Sequence, residues 1–230
     1  MASLSHKLKL EDLAEIEPLT KNQKSVFEAY EKGYSIVMAG SAGTGKTFMA
    51  LALALEEVLD RSTPFDKVVV VRSIVPTRDI GYLPGSEEEK KDAYTGPYRS
   101  ACTELFDDPD AWTKLRNTGQ VEFLSTSFIR GVTLSNAIIV VDEMQNLTFH
   151  ELDSVITRVG QCCKFMMCGD YYQSDFDKDK DKHGILQFLE IVEQLRKFKV
   201  IEFGWEDIVR SDFVRDYIMT KEMMERNGKV

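Results

Sequence analysis

The chain reads as an α/β protein built on a mostly parallel sheet with helices on both faces, and three observations predict this. Six short β-branched or apolar runs recur at 35–39, 67–72, 121–124, 137–141, 163–168 and 199–203. Near-continuous apolar runs of that length are what strands buried on both faces require. Helical patterns separate several of them, and strands alternating with helices argue for parallel pairing, since each return crossover lays a helix on one face. With 230 residues, 43% of them hydrophobic, the chain can bury one substantial core, so residues 1–230 are read as a single domain with insertions.

Each element has its own signal. A first helix lies within 18–33: Thr20 and Gln23 have capping-box spacing, Val26, Phe27 and Tyr30 follow, and Gly33 stops it. The strand at 35–39 leads through a glycine-rich turn into a helix over 46–59, and the strand at 67–72 follows. Residues 73–97 then carry Pro76, Gly81, Pro84, Gly85, Gly96 and Pro97 around a charged run at 87–92. This region, taken to residue 100, reads as an inserted surface loop, and loops that long are uncommon unless functional or disordered. A helix over 98–105 and the strands at 121–124 and 137–141 come next. The helix over 148–159 is the best specified. Thr148 and Glu151 form a capping-box pair, Leu152, Val155, Ile156 and Val159 share a face, and Gly160 ends it. After the strand at 163–168, residues 174–182 alternate Asp and Lys and read as a solvated tip. A helix over 185–195 and the strand at 199–203 complete the pattern.

Composition narrows the function classes. Twenty-nine basic against 38 acidic residues give a net charge of -9, so the overall field repels nucleic acid and any such binding must rest on a local patch. Cysteines 102, 162, 163 and 168 include no C-x-x-C pair and only three histidines are present, so no structural zinc site is expected. The start Met1-Ala-Ser-Leu-Ser lacks the apolar core of a secretory signal, and no stretch approaches the ~20 apolar residues of a spanning helix. A soluble, cytoplasmic protein with no membrane partner is expected.

The segment Gly40, Ser41, Ala42, Gly43, Thr44, Gly45, Lys46, Thr47 fits the P-loop pattern G-x-x-x-x-G-K-[ST] and follows an apolar run, as a strand precedes such a loop. Glycines let backbone N–H groups turn inward onto phosphate oxygens, and the following helix adds the positive end of its dipole. Lys46 is expected to reach the β and γ phosphates and Thr47 to offer its hydroxyl to Mg2+. The strand at 137–141 ends in Asp142 and Glu143, and carboxyl ends of parallel strands carry the ligand site. Asp142 is expected to hold the hydrated metal and Glu143 to orient the attacking water. The next strand ends in Gly169-Asp-Tyr-Tyr-Gln173. Gln173 is the candidate γ-phosphate sensor, with Asp170 shaping the turn and Gln145 a second polar group aimed the same way; either glutamine could instead satisfy loop backbone groups.

Together these residues resemble the PhoH-like family, whose cores are related to the RecA-like domains of superfamily-one helicases. The resemblance runs through Leu19-Thr-Lys-Asn-Gln23, the loop, Val70-Val-Arg72-Ser-Ile-Val75, Ile80-Gly-Tyr-Leu-Pro-Gly85 and Gly96-Pro-Tyr98. It continues through Phe128-Ile-Arg130-Gly-Val-Thr133, Asp142-Glu-Met-Gln-Asn-Leu-Thr148, residues 152–160, residues 169–173 and Asp207-Ile-Val-Arg210. It implies a RecA-like P-loop NTPase fold with ATP as the nucleotide. In its pattern Gln23 resembles a glutamine that reads the adenine edge, beside the capping role that spacing alone gives it. Arg210 resembles an arginine that reaches the phosphate of a neighbouring subunit. The chain departs from the family pattern at Ser73, where proline is common, and at Val132, where a second arginine is common.

The function expected is magnesium-dependent ATP hydrolysis in a homo-oligomeric ring, a hexamer favoured, with Arg210 acting across the interface. RNA or single-stranded DNA would pass loops at 73–97 or 125–133, using Arg72, Arg78, Lys90, Lys91, Arg99 and Arg130 on phosphates and Tyr82, Tyr94 or Tyr98 for stacking. The alternatives are a small-molecule or nucleotide kinase and a non-enzymatic ATP-gated assembly switch.

Overall fold

A computed structural model describes residues 7–73, 94–129, 131–170 and 179–226. Among them six strands form one sheet: β1 (Ser35–Gly40), β2 (Lys67–Arg72), β3 (Val121–Ser125), β4 (Ala137–Val141), β5 (Cys163–Gly169) and β6 (Phe198–Phe203). Their order is β3-β2-β4-β5-β1-β6 and every neighbouring pair is parallel. The helices are α1 (Lys21–Glu31), α2 (Lys46–Leu59), α3 (Gly96–Phe106), α4 (Ala111–Asn117), α5 (Phe149–Ile156), α6 (Asp179–Glu193) and α7 (Asp212–Arg226).

The strands are apolar throughout because both sheet faces are covered. Ile36, Met38, Val68, Val70, Ile138 and Val140 point into one core with α2, α3 and α4. Their alternate neighbours Val37, Val69, Val71, Ile139 and Val141 point into a second core with α5 and α6. A period of two over an unbroken hydrophobic run therefore fills two cores at once. At about 25 cal/mol per Å2 of apolar surface removed from water, these two layers are the main source of stability.

The register brings the strand ends level. Val71 pairs with Val141, Val141 with Met167, and Met167 with Val37, so Arg72, Asp142, Cys168 and the loop after β1 emerge along one edge. In α/β sheets this carboxyl edge carries the ligand site.

Several boundaries differ from the sequence reading. The helix expected over 148–159 stops at Ile156, and Val159 instead bridges Leu134. The helix expected over 185–195 begins at Asp179, inside the stretch read as a solvated tip. Helices α4 and α7 carry no expectation from the sequence. The inserted region 73–100 ends in the first turn of α3, where Tyr98 is 0% exposed. Tyr98 is thus a core residue and not a stacking platform, because its ring packs on Trp112 and Phe123. Most of that insertion, with Arg78, Tyr82, Lys90 and Lys91, lies outside the described residues, as does Arg130. No helix among the described residues is long and apolar enough to cross a membrane.

Candidate active site

The loop between β1 and α2 is shaped by contacts from the far end of the chain. Gly40 has φ +121°, and a Cβ there would collide with the Phe203 carbonyl oxygen, whose bond from the Ser41 N–H pins the loop to β6. Only glycine fits both the angle and the close approach. Gly45 caps α2 with no side-chain hydrogen bond, so the loop presents first-turn amides, the group that binds anions at a helix N-terminus. Val209 donates its N–H to the Gly43 carbonyl, and Asp207 accepts from the Asn22 side chain and the Gly204 N–H. These bonds set Arg210 against the loop, its Cγ 3.0 Å from where a Gly43 Cβ would lie.

Lys46 bends over its own loop, donating to the carbonyls of Gly40 at 2.8 Å and Ser41 at 2.6 Å and to the Thr44 hydroxyl at 3.2 Å. Burial pulls its pKa below the usual lysine range, against the opposing pull of Asp170, Glu143 and Asp142. A desolvated ammonium with flexible donors is suited to exchange these carbonyls for phosphate oxygens. Ser41 is buried and donates to Glu222 of α7 at 3.0 Å. Ala42 lines the cavity.

Thr47 donates to Asp142 Oδ1 at 2.7 Å across 95 residues of sequence. The other carboxylate oxygen accepts from the Tyr98 hydroxyl at 2.8 Å, fixing the aspartate in the cavity wall. A hydroxyl and a carboxylate side by side are hard oxygen donors, and Mg2+ takes few protein ligands and keeps most of its water, so the pair fits that ion.

Glu143 follows with φ +51°, a left-handed conformation that a non-glycine residue adopts at some cost. Gln145 donates to its carboxylate at 2.5 Å and accepts from the Asp170 N–H at 3.0 Å, clamping the ends of β4 and β5 together. Gly169 passes so close that a Cβ would strike Met144 and Gln145. The glutamine thus satisfies a loop amide and also steers the glutamate. Gln173 lies outside the described residues.

Gln23 is 4% exposed. Its backbone N–H meets the Thr20 cap at 3.3 Å, while its side chain accepts from Leu19 N–H at 2.6 Å and donates to Thr44 O at 3.1 Å. Thr20 caps the helix as expected, but the Gln23 side chain ties Leu19 to the phosphate loop instead of closing a capping box.

A cavity of about 510 Å3 brings the loop residues 42–48 together with Asp142, Glu143, Gln145, Asp170 and Arg210, within the size range of small-ligand sites. It also holds Arg72, which the sequence reading assigned to nucleic acid. Arg72 ends β2 and Asp142 directly follows β4, and the same strand-end signal would have found it. Glu222 and Trp205, paired at 2.5 Å, had no such signal, because their contact with the loop spans 181 residues for Glu222 and Ser41.

A family model described as PhoH-like protein matches residues 15–222. A PhoH-like protein of Mycobacterium leprae (strain TN) is 31% identical over 204 residues, 88% of this chain and 57% of that protein. Protein PhoH of Escherichia coli (strain K12) is 30% identical over 197 residues, 84% of this chain and 55% of its own. The chain thus spans less than two thirds of the length of these relatives. Among solved structures, the large terminase of a thermophilic bacteriophage in complex with ADP aligns with a TM-score of 0.48 at 13% identity, over 87% of this chain and 49% of that one.

Proposed function

The chain belongs to the PhoH family, and we propose from that premise that it hydrolyses ATP in a magnesium-dependent reaction coupled to remodelling of RNA or single-stranded DNA. The hydrogen bond between Thr47 and Asp142 carries the reading, since it joins the phosphate loop to the acidic strand in one cavity. The amides after Gly40 receive the phosphates, and Lys46 leaves the Gly40 and Ser41 carbonyls to neutralise the β and γ oxygens. Thr47 and Asp142 would hold Mg2+, which when bound supplies charge neutralisation between the phosphates. Glu143, steered by Gln145, accepts a hydrogen bond from water and orients it toward the γ-phosphorus. The new O–P bond forms as the bridging bond to the β-phosphate breaks, giving ADP and phosphate.

Nucleic acid and a ring of copies, six favoured, belong to the same proposal. Arg99 on α3 and the basic residues of the insertion are the candidate contacts, because the net charge of -9 requires a local patch. Support for self-assembly comes from exposed apolar side chains on α7, close in sequence to Arg210, which in the ring would act on the neighbour's phosphate. An isolated chain has this arginine on its own cavity wall. Mixing Glu143→Gln with Arg210→Ala subunits therefore tests the shared site directly, as regained turnover requires sites built from two chains.

The test of function is phosphate release from Mg-ATP with and without RNA and single-stranded DNA, in wild type and Lys46→Ala. Turnover stimulated by nucleic acid and lost in the variant is expected. ADP formation that requires a small-molecule acceptor would point to a kinase instead.

A further inference from the structure

The cavity contains a third cation that the reaction above leaves unused. Arg72 is the last residue of β2, and the neighbouring strand ends at the same level: Val71 pairs with Val141, and the Asp142 N–H donates to the Val71 carbonyl at 2.9 Å. The guanidinium lies over the Tyr94 ring, 5.8 Å from its centroid. Beside it the Tyr98 hydroxyl donates to Asp142 Oδ2 at 2.8 Å, and the guanidinium shares the cavity wall with that carboxylate. Burial alone would lower the Arg72 pKa, but Tyr98, Asp142 and Glu143 outweigh it and hold the charge firmly in place.

Position and chemistry assign this charge a task. Loop amides and Lys46 serve the phosphates nearest β1, whereas Arg72 stands at the strand beside Asp142 and Glu143. If Glu143 orients the attacking water, the γ-phosphate must approach that same end of the cavity, where two carboxylates repel it. A fixed guanidinium there offsets the repulsion and offers paired N–H donors in a planar fork that matches a phosphate edge. Its place over the Tyr94 ring, at the end of a strand fixed on both sides, holds it in advance, so little ordering is left for the moment of reaction.

We propose that Arg72 is a γ-phosphate-contacting residue supplied by the chain to its own site. The proposal rests on the ATP-hydrolysis reading and moves Arg72 from the nucleic-acid surface to the nucleotide. It makes a specific demand: Arg72 discriminates a triphosphate from a diphosphate, whereas Lys46 supports both.

Calorimetric titration of ADP and of the non-hydrolysable triphosphate AMP-PNP, with magnesium present, tests this in wild type, Arg72→Ala, Arg72→Gln and Lys46→Ala. Loss of a charge-assisted phosphate contact should weaken AMP-PNP about 10- to 100-fold in both Arg72 variants, with ADP affinity nearly unchanged, while Lys46→Ala weakens both nucleotides. Retained ADP binding also certifies the fold; if Arg72→Ala loses both ligands through misfolding, the polar, uncharged Arg72→Gln decides. Equal weakening of ADP and AMP-PNP in Arg72→Gln, or no change in either, overturns the proposal. So does weakened binding of oligo(U) RNA with the AMP-PNP preference intact, which would return Arg72 to nucleic acid. A wild type that binds neither nucleotide sinks the ATPase reading itself, a result visible before any variant is made.

Discussion

At the scale of the residue, the site depends on a few backbone positions held where most side chains cannot go. Gly40 is the sharpest case, with its positive φ and its contact with the Phe203 carbonyl. Gly40→Ala must both strain the backbone and push β6 away, so a loss of about 2–4 kcal/mol of stability is expected in denaturant titration. Glu143, at φ +51°, sits in the left-handed region that other residues reach at some cost, with its carboxylate held by Gln145. These residues were legible for a physical reason: phosphate binding demands glycines, a lysine and a hydroxyl in consecutive positions, and a strand-end acid lies where the chain leaves the core. Tyr98 was read for a stacking surface but lies in the core, and Arg72, read for nucleic acid, lines the cavity. One arginine and one tyrosine beside a loop carry no local mark of which way they point, and only the level strand ends and the burial of Tyr98 reveal it.

At the scale of the element, α7 closes the loop from behind. Glu222 is 1% exposed and accepts from the Ser41 hydroxyl and the Trp205 indole. On the opposite face of the helix, Phe213 is 82% and Tyr217 64% exposed. This partly inverts the amphipathic rule of apolar inward and charged outward, although Ile218 still packs toward Gly43, which explains why periodicity found β1, α2 and β4 but missed α7. The shorter α4 was missed because seven residues give little period to read. Glu222→Ala removes the acceptor of a buried hydroxyl and a half-buried indole, so a loss of about 2–4 kcal/mol is expected. Thermal melts and hydrogen exchange should report it together, with faster exchange of the loop amides from Ser41 to Lys46. A variant as stable as wild type with an unchanged loop would show that α7 merely lies alongside.

At the scale of the whole molecule, the same inversion leaves an apolar face on the outside. Phe213, Tyr217 and Met224 lie within one stripe of α7 and are all exposed; apolar stripes of this kind mark interaction surfaces. With the proposed ring, Phe213→Glu combined with Tyr217→Glu should reduce the oligomer to single chains in sedimentation and leave the melting temperature near that of wild type. The parallel sheet was fully legible in outline because burial on both faces imposes continuous apolar strands, whereas the exposed apolar face was not, since it lies on a helix the pattern concealed. Everything proposed for the nucleotide depends on the loop and the acidic strand forming one hydrolytic site. The decisive comparison is phosphate release from saturating Mg-ATP by wild type and Glu143→Gln, with nucleotide binding measured on the same samples. Glu143→Gln is expected to bind ATP about as tightly as wild type and to release phosphate about 100- to 10,000-fold more slowly. Hydrolysis at the wild-type rate by a variant that binds ATP normally would contradict a single hydrolytic site of this composition.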